Sequence, residues 1–379
     1  CVHAHGLCRR AAVPSCMPSL VQQIRPSSPQ FDGTPSAHLY LWLNFTSTRD
    51  LCEASNAFRH ISAAIQHASH STLRRWYPMR AASTSRVKPR MQLAAGPPVT
   101  STIAALASRL LSPPAMLLGR FGNVEMLSAM RIADGGHPPS WLRDYAGFYS
   151  GTSNTSSRAT ELAFQRAYVR AARASDKVML VVEQSAETAG FACRFGLPLT
   201  AFVRAYELDE LLELMHELAK LRARVLLVTG FPSSMHRQLA RLPLIHPSLP
   251  HLSQLQYRIL GTPLDGFESP ERRQHSDWAK ALDALMSSPE WNSSRSDVAL
   301  LGCGAFGMPL AAHARSKGLS AMYIGGRLPT LFGIVGRYDR TLPQVRRRMN
   351  AHWISPLPEE TPTMARGSNL ENHGYWGGG

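Results

Sequence analysis

The sequence is poor in cysteine and lacks long apolar runs. Its six cysteines are spread over 379 residues, with no Cys-x-x-Cys pair and no Cys/His set at metal-ligand spacing. We therefore expect neither a disulfide framework nor a structural zinc site. The chain contains no run of 18 apolar residues, so we predict no transmembrane span. Apolar residues still make up 44% of the chain, which is typical of a globular protein with a substantial core.

Acidic residues are scarce near the amino terminus. Residues 1–95 contain eleven Lys or Arg but only three Asp or Glu, and so carry more than half of the formal net charge of +15. The segment is also rich in Ser, Pro and Ala, a composition typical of organelle transit regions and disordered leaders. Pro97 and Pro98 mark its end. We therefore predict a transit-like or disordered region at 1–95 and a folded domain with a loop-rich C-terminal tail at 96–379.

Charge and short motifs bear on partners and localisation. In residues 96–379 the positive charge is spread out, and no basic face interleaved with aromatic residues is recognisable. We therefore expect no nucleic-acid partner. The amino-terminal composition favours import into an organelle, while sequons keep the secretory pathway open as an alternative. These sequons are at Asn44, Asn154 and Asn292. The sequence leaves the oligomeric state open.

Beyond residue 100, apolar strands alternate with amphipathic helices. This alternation predicts an α/β domain, Rossmann-like, with a mostly parallel sheet and helices on both faces. We expect Ser101 to cap the first helix, Ser233 or Ser234 to cap another, and a Pro-rich connection to lead into the helix at 276–287. The predicted strands are Ala115–Gly119, Lys177–Glu183, Arg224–Thr229, Val298–Leu301 and Ala321–Ile324. The predicted helices are Thr102–Leu111, Val124–Ile132, Ser157–Ala174, Glu207–Leu221 and Ser276–Ser287.

Two glycine turns within Asp297–Gly336 are the strongest functional signal. The first follows a short apolar strand, has G-x-G-x-x-G spacing and leads into a helix, and the second follows the next strand. The glycines are Gly302, Gly304 and Gly307 in the first turn, and Gly325 and Gly326 in the second. Such a unit lets backbone N–H groups at a helix N-terminus face a phosphate without side-chain obstruction. It predicts a nucleotide-type ligand.

The segment Arg120–Glu125 is the second candidate, because it follows the first predicted strand and opens a helix. Ligands of parallel sheets bind beyond the carboxyl ends of the strands. Arg120 can pair with a phosphate, and Gly122 allows a tight turn. Asn123 and Glu125 could together reach a metal ion or sugar hydroxyls. As an alternative, Asn123 is a helix N-cap and Glu125 only complements the helix dipole.

Further candidates follow other strands. Arg327 stands where a NAD-binding protein carries an acid for the ribose, and could meet the extra phosphate of NADP or a diphosphate. Arg337 could offset the charge of a diphosphate. Glu183 and Asp339 are candidate bases, with solvated loop positions as the alternative. Gly230–Ser234 could supply backbone and hydroxyl donors to a phosphate, or form a plain turn and cap.

Read together, these segments resemble a family of bacterial and algal proteins related to GT-D-type glycosyltransferases. Similar chains carry an Arg-Phe-Gly-Asp-x-Glu-like segment early and a Gly-Cys-Gly-Ala-x-Gly segment late. A Gly-Gly turn and a Leu-Phe-Gly-Ile-x-Gly stretch follow. The corresponding residues here are Arg120–Glu125, Gly302–Gly307, Gly325–Gly326 and Leu331–Gly336. The resemblance extends over residues 100–376.

The resemblance implies a Rossmann-like fold and transfer of a sugar from a nucleotide-sugar donor to a small-molecule or glycan acceptor. In the GT-D pattern an Asp-x-Glu pair contributes to the metal and donor site, and that role falls here on Asn123 and Glu125. An amide is a weaker metal ligand than a carboxylate, which weakens the expectation of a Mn or Mg requirement and leaves Glu125 as the metal ligand if there is one. Two alternatives rest on the same glycine turn or fold: an NAD(P)- or S-adenosylmethionine-binding enzyme, and a catalytically inactive α/β binding protein.

Overall fold

The chain divides into two compact units. The first comprises Cys1–Gly96 with Leu180–Arg204, and the second comprises Pro97–Met179 with Ala205–Gly379. The computed structural model describes residues 23–26, 38–43, 88–93, 100–138, 157–180, 185–198, 202–268, 270–336 and 339–362. Of residues 1–95 only three strands are among the described residues, so the transit-like or disordered character of this segment stays a prediction.

The described residues form ten strands and eleven α-helices, numbered here in chain order. The strands are β1 Gln23–Pro26, β2 His38–Leu43, β3 Lys88–Leu93, β4 Leu117–Arg120, β5 Lys177–Leu180, β6 Phe202–Arg204, β7 Arg224–Thr229, β8 Gln256–Gly261, β9 Val298–Gly302 and β10 Ser320–Tyr323. The helices are α1 Ile103–Leu111, α2 Asn123–Ala133, α3 Arg158–Ala174, α4 Ser185–Phe195, α5 Leu208–Lys220, α6 Pro232–Leu239, α7 Leu242–Ile245, α8 Trp278–Met286, α9 Gly307–Ser316, α10 Arg327–Leu331 and α11 Pro343–Arg346.

The first unit contains a small sheet and a helix. Strand β1 pairs antiparallel with β2, and β2 pairs parallel with β3. Helix α4 packs against β3. The sequence pattern did not predict α4, and its Cys193 is disulfide-bonded. The sequence argument was made against a disulfide framework, and Cys193 shows that the chain nevertheless forms a disulfide.

The second unit is built on a parallel sheet. Its strands lie in the order β5-β4-β10-β9-β7-β8, and every adjacent pair is parallel. The apolar residues of β7 and β9 are almost completely buried, since helices cover the sheet. Such strands read as continuous apolar runs, as β7 and β9 do in the sequence. The predicted α/β, Rossmann-like fold is confirmed.

The chain winds in opposite directions from the middle of this sheet. From β9 it passes through α9 to β10 on one side, and from β7 it passes through α6 and α7 to β8 on the other. Because such crossovers are right-handed, the two connections place helices on opposite faces of the sheet. The carboxyl ends of β9 and β7 therefore flank the switch point at which α/β sheets bind their ligands.

Three boundary predictions are wrong. Thr102, not Ser101, is the N-cap of α1, because its hydroxyl oxygen accepts the N–H of Ala105 at 3.1 Å. Helix α6 begins at Pro232, a residue suited to the first helical position, so its N-cap is Phe231 and neither following serine caps it. The expected Pro-rich connection contains β8, an edge strand that starts with a glutamine and is only half-buried. Strand β8 was not recognised in the sequence because its composition is mixed and prolines surround it.

Candidate functional site

At each of the three glycine positions of the first turn, a different structural constraint favours glycine. A Cβ on Gly302 would lie 2.5 Å from the carbonyl oxygen of Gly325, so the two turns touch through their backbones. A Cβ on Gly307 would collide with the ring of Tyr323, so this glycine lets α9 pack closely against β10. Gly304 is exposed and has a φ of +54°. These are the three roles that glycines play in dinucleotide-type turns: a tight turn, an open approach and close helix–strand packing.

The turn between β9 and α9 presents open backbone N–H groups. Within the described residues, the N–H groups of Cys303 and Gly304 donate to no acceptor. Gly304 is exposed to solvent, so a ligand can reach this backbone. Because the N-terminus of a helix also carries partial positive charge, the turn suits a phosphate group.

Arg120 joins the early candidate segment to the second glycine turn. It is the last residue of β4, which is next to β10 in the sheet. Gly325 has a φ of +59°, and a Cβ there would collide with the Arg120 guanidinium. The guanidinium therefore lies over the backbone of Gly325, and no hydrogen bond from it to another described residue is present.

Glu125 lies in the first turn of α2 with its carboxylate folded back over Gly122, where a Cβ would collide with it. The side chain is buried, with 7% exposed. Burial raises the pKa of Glu125, while its own backbone N–H and the charge of Arg120 lower it in part. Gly122, not Asn123, is the N-cap of α2, so the N-cap interpretation of Asn123 is wrong. The structure describes the backbone of Asn123 but not its side chain.

Three neutral groups near Glu125 were missed by the sequence reasoning: Tyr168 on α3, Tyr323 at the end of β10, and the thiol of Cys303. Burial raises the pKa of each, and the negative charge of Glu125 raises it further. The hydroxyl of Tyr323 donates to the carbonyl oxygen of Gly304 at 3.1 Å. The carboxyl group of Glu125 therefore lies among protonated groups from α3, from β10 and from the turn after β9. Only the position of Tyr323 next to the second glycine turn was a signal in the sequence.

Asp339 and Arg327 lie at the same edge as the second glycine turn. Asp339 is 8% exposed, so a solvated loop position is wrong for it. Its Oδ2 accepts the N–H of Gly336 at 3.1 Å. Burial raises the pKa of Asp339 to about 6, although the Gly336 N–H and the charge of Arg327 both lower it. A carboxyl group with this pKa can accept a proton near neutral pH. The two remaining candidates, Glu183 and Arg337, lie outside the described residues.

The turn after β7 is already occupied by a carboxylate from the chain itself. Glu360 is buried and accepts the N–H groups of Ser233 at 2.5 Å and Ser234 at 3.1 Å, together with the Ser234 hydroxyl. It therefore caps α6 from a distant part of the sequence. The interpretation of Gly230–Ser234 as a set of phosphate donors is wrong in this structure, because these donors are taken.

Metal ligands, membrane-spanning helices and similar proteins give no further indication of a function. Within the described residues, no three His, Cys, Asp or Glu side chains are grouped as metal ligands would be. No helix among those residues is long and apolar enough to cross a membrane. No protein-family model, no curated protein and no solved structure matches this chain.

Proposed function

We propose that this protein is a glycosyltransferase-like enzyme that uses a nucleotide-sugar donor. One observation carries the proposal: the Arg120 guanidinium lies over Gly325, beside the open turn of β9. A cation, open backbone N–H groups and the buried carboxyl of Glu125 thus meet at the carboxyl edge of three neighbouring strands. A diphosphate linked to a polyhydroxylated sugar is complementary to this combination.

The leaving diphosphate is the charge that the site must stabilise. The N–H groups of Cys303 and Gly304 would bind its oxygens, and Arg120 with Arg327 would offset the negative charge that develops on it. Glu125 would bind hydroxyls of the donor sugar, in the manner of a carboxylate that accepts hydrogen bonds in a desolvated site. If a divalent metal ion takes part, Glu125 would be its ligand, as the GT-D pattern implies.

Asp339 would act as the base. Its pKa of about 6 leaves most of the carboxylate ionised at pH 7. In the transfer step the proton of the acceptor hydroxyl moves to Asp339 while its oxygen bonds to the anomeric carbon. The bond from that carbon to the diphosphate oxygen breaks, and the nucleoside diphosphate leaves with the electron pair.

The test is Glu125→Gln, assayed for nucleoside diphosphate release from a panel of UDP- and GDP-sugars, with and without manganese. The amide has the same shape and no charge, so we expect the variant to fold and to lose transfer. Glu217→Gln is the matched control, because Glu217 lies on α5 and pairs only with Lys220 of its own helix among the described residues. Unchanged transfer by Glu125→Gln would remove the proposed role.

The three glycine roles also favour a second candidate, an NAD(P)- or S-adenosylmethionine-binding enzyme. In that case Arg120 and Arg327 would meet the extra phosphate of NADP instead of a sugar diphosphate. Thermal-shift measurements with UDP- and GDP-sugars, NADP and S-adenosylmethionine separate the two. Stabilisation by a dinucleotide alone would replace the leading proposal, and no response to any ligand would favour an inactive binding protein.

A further inference from the structure

A groove with a volume of about 400 Å³ opens at the carboxyl end of β8. Its apolar lining includes Pro232, Leu260, Pro263 and Leu285, and Thr262 and His275 are among its polar residues. This volume lies within the range of small-molecule sites, which combine apolar walls with a few placed polar groups. No sequence pattern indicated this groove, because β8 itself was not predicted.

The polar feature of the groove is a histidine held by a buried aspartate. Asp265 is 2% exposed, and its Oδ2 accepts Nδ1–H of His275 at 2.9 Å and the backbone N–H of His275 at 3.1 Å. Its Oδ1 accepts the N–H of Gln274 at 2.8 Å. A proton on Nδ1 leaves Nε2 of the neutral ring as a hydrogen-bond acceptor. Nε2 has no partner within the described residues, and His275 lines the groove.

The groove lies across the switch point from Arg120. In the register of the sheet, Gly302 is opposite Thr229, and Thr229 is opposite Gly261 at the rim of the groove. The groove is therefore two strands from the first glycine turn, or about 10 Å. Arg120 lies two strands from the same turn on the other side. A donor with its diphosphate at the turn and its sugar at Glu125 would extend its nucleoside toward the groove.

Although the Arg273 guanidinium donates to the backbone oxygen of Asp265 at 3.1 Å, two carboxylates beside the groove make a phosphate a poor occupant. The Asp265 carboxylate accepts a hydrogen bond from His275, and the Glu360 carboxylate accepts the N–H group of Ser233, next to Pro232. Two carboxylates at this position disfavour an anion. Apolar walls and one fixed acceptor suit a flat, uncharged ring that carries an N–H donor.

We propose that this groove is the nucleobase subsite of the nucleotide-sugar donor and selects a base with a ring N–H, such as uracil or guanine. Nε2 of His275 accepts that ring N–H, while Pro232, Pro263 and Leu285 enclose the ring. The inference rests on the proposed nucleotide-donor function. It adds the part of the donor that is recognised and the residues that recognise it.

The test is calorimetric titration of the full chain with UDP, GDP and CDP, which lack the sugar and differ in the ring N–H. We expect UDP or GDP to bind about tenfold more tightly than CDP, whose neutral base has no ring N–H. His275→Phe should remove this preference, and Leu285→Trp should weaken all three by filling the groove. Since a tryptophan at 285 can also disturb α8, His275→Phe with an unchanged melting temperature is the deciding variant. Glu217→Gln, the matched control on α5, should leave UDP and GDP binding unchanged.

Four outcomes separate the two proposals. Tight UDP or GDP binding that is lost in His275→Phe supports the subsite. Equal binding of all three nucleotides by both the natural chain and His275→Phe overturns it and leaves the transferase proposal in place. Binding that depends on His275 without any sugar transfer supports the subsite and overturns the transferase proposal. No binding of any nucleotide by the natural chain overturns both.

Discussion

Carboxyl groups at the two edges of the parallel sheet have pKa values that are shifted in opposite directions. At the amino edge, Asp297 accepts the backbone N–H of Arg224 at 2.8 Å and pairs with its guanidinium at 2.5 Å. These contacts, above all the hydrogen bonds from the Arg224 side chain, hold the pKa of Asp297 below its usual range. At the carboxyl edge, burial raises the pKa values of Glu125 and Asp339 instead. Charge that is paired stabilises a fold, whereas charge that is buried with incomplete compensation destabilises it.

A second aspartate is paired in a similar way at the amino edge. Asp176 accepts the N–H of Leu117 at 2.7 Å and pairs with Arg315 at 2.7 Å. This carboxylate and that of Asp297 tie neighbouring strands together through backbone and side chain. The two aspartates at the amino edge therefore join neighbouring strands, whereas Glu125 and Asp339 at the carboxyl edge have raised pKa values. Perturbed carboxyl groups concentrate where function is expected.

The largest expected effect comes from breaking the amino edge. Asp297→Ala removes the acceptor of the Arg224 backbone N–H and of its guanidinium. It should lower the free energy of unfolding by about 3 kcal/mol at pH 7, since hydrogen bonds to a charged group contribute about 1.5 kcal/mol or more each. Because the folded pKa of Asp297 is lowered, this contribution is present above the unfolded pKa and disappears as the pH falls through the folded pKa. Urea unfolding at several pH values measures the loss of unfolding free energy and its dependence on pH. Asp297→Asn, which can still accept the backbone N–H, should lose less; an equal loss would contradict the role of the guanidinium.

The next effect has the opposite sign and belongs to the carboxyl edge. Asp339→Asn should raise the free energy of unfolding by about 2 kcal/mol at pH 8. The folded pKa of Asp339 is raised from 3.8 to about 6, so its contribution is full below the unfolded pKa and is lost as the pH rises through 6. The gain should therefore vanish near pH 4. A gain of the same size at both pH values would show that burial of the charge is not its cause. Sugar transfer should fall in the same variant.

A smaller effect is expected at the second glycine turn. Gly325→Ala places a side chain at a φ of +59° and against Arg120, and should cost about 1 kcal/mol of stability because alanine disfavours this region. Affinity for UDP-sugars should also fall, since the guanidinium must move. In the double variant with Arg120→Ala the collision is gone but the backbone strain remains. A full recovery of stability by the double variant would contradict the strain argument.

The smallest effect belongs to neither edge. Glu217→Gln removes an ion pair between partly exposed side chains three residues apart on α5, where Nζ of Lys220 lies 2.6 Å from Oε1 of Glu217. We expect a loss of no more than about 0.5 kcal/mol, because exposed pairs contribute little. Urea unfolding in low and high salt measures it. A loss comparable to that of Asp297→Ala would show that the ion pair at the amino edge contributes no more than an exposed pair elsewhere.

The sequence predicted the central strands well because their burial leaves a local trace. Strand β7 has the predicted bounds, Arg224–Thr229, and β9 differs by one residue at its end. Both are continuous apolar runs. The edge strand β8 and helix α4 were not predicted. Strand β8 is half-buried and has a mixed composition, and α4 shows no clear amphipathic pattern. The glycine spacing likewise predicted the turn, because each glycine meets a steric requirement close to its own position.

The environment of the site residues was decided by tertiary structure alone. The sequence by itself determined the α/β alternation and the glycine turns, through the local rules of periodicity and backbone sterics. It did not show that Arg120 lies over Gly325, that Asp339 is buried, or that Glu360 fills the donors after β7. These contacts join residues far apart in the chain, and the pKa of a carboxyl group depends on how completely such contacts remove it from water. No local pattern carries that information.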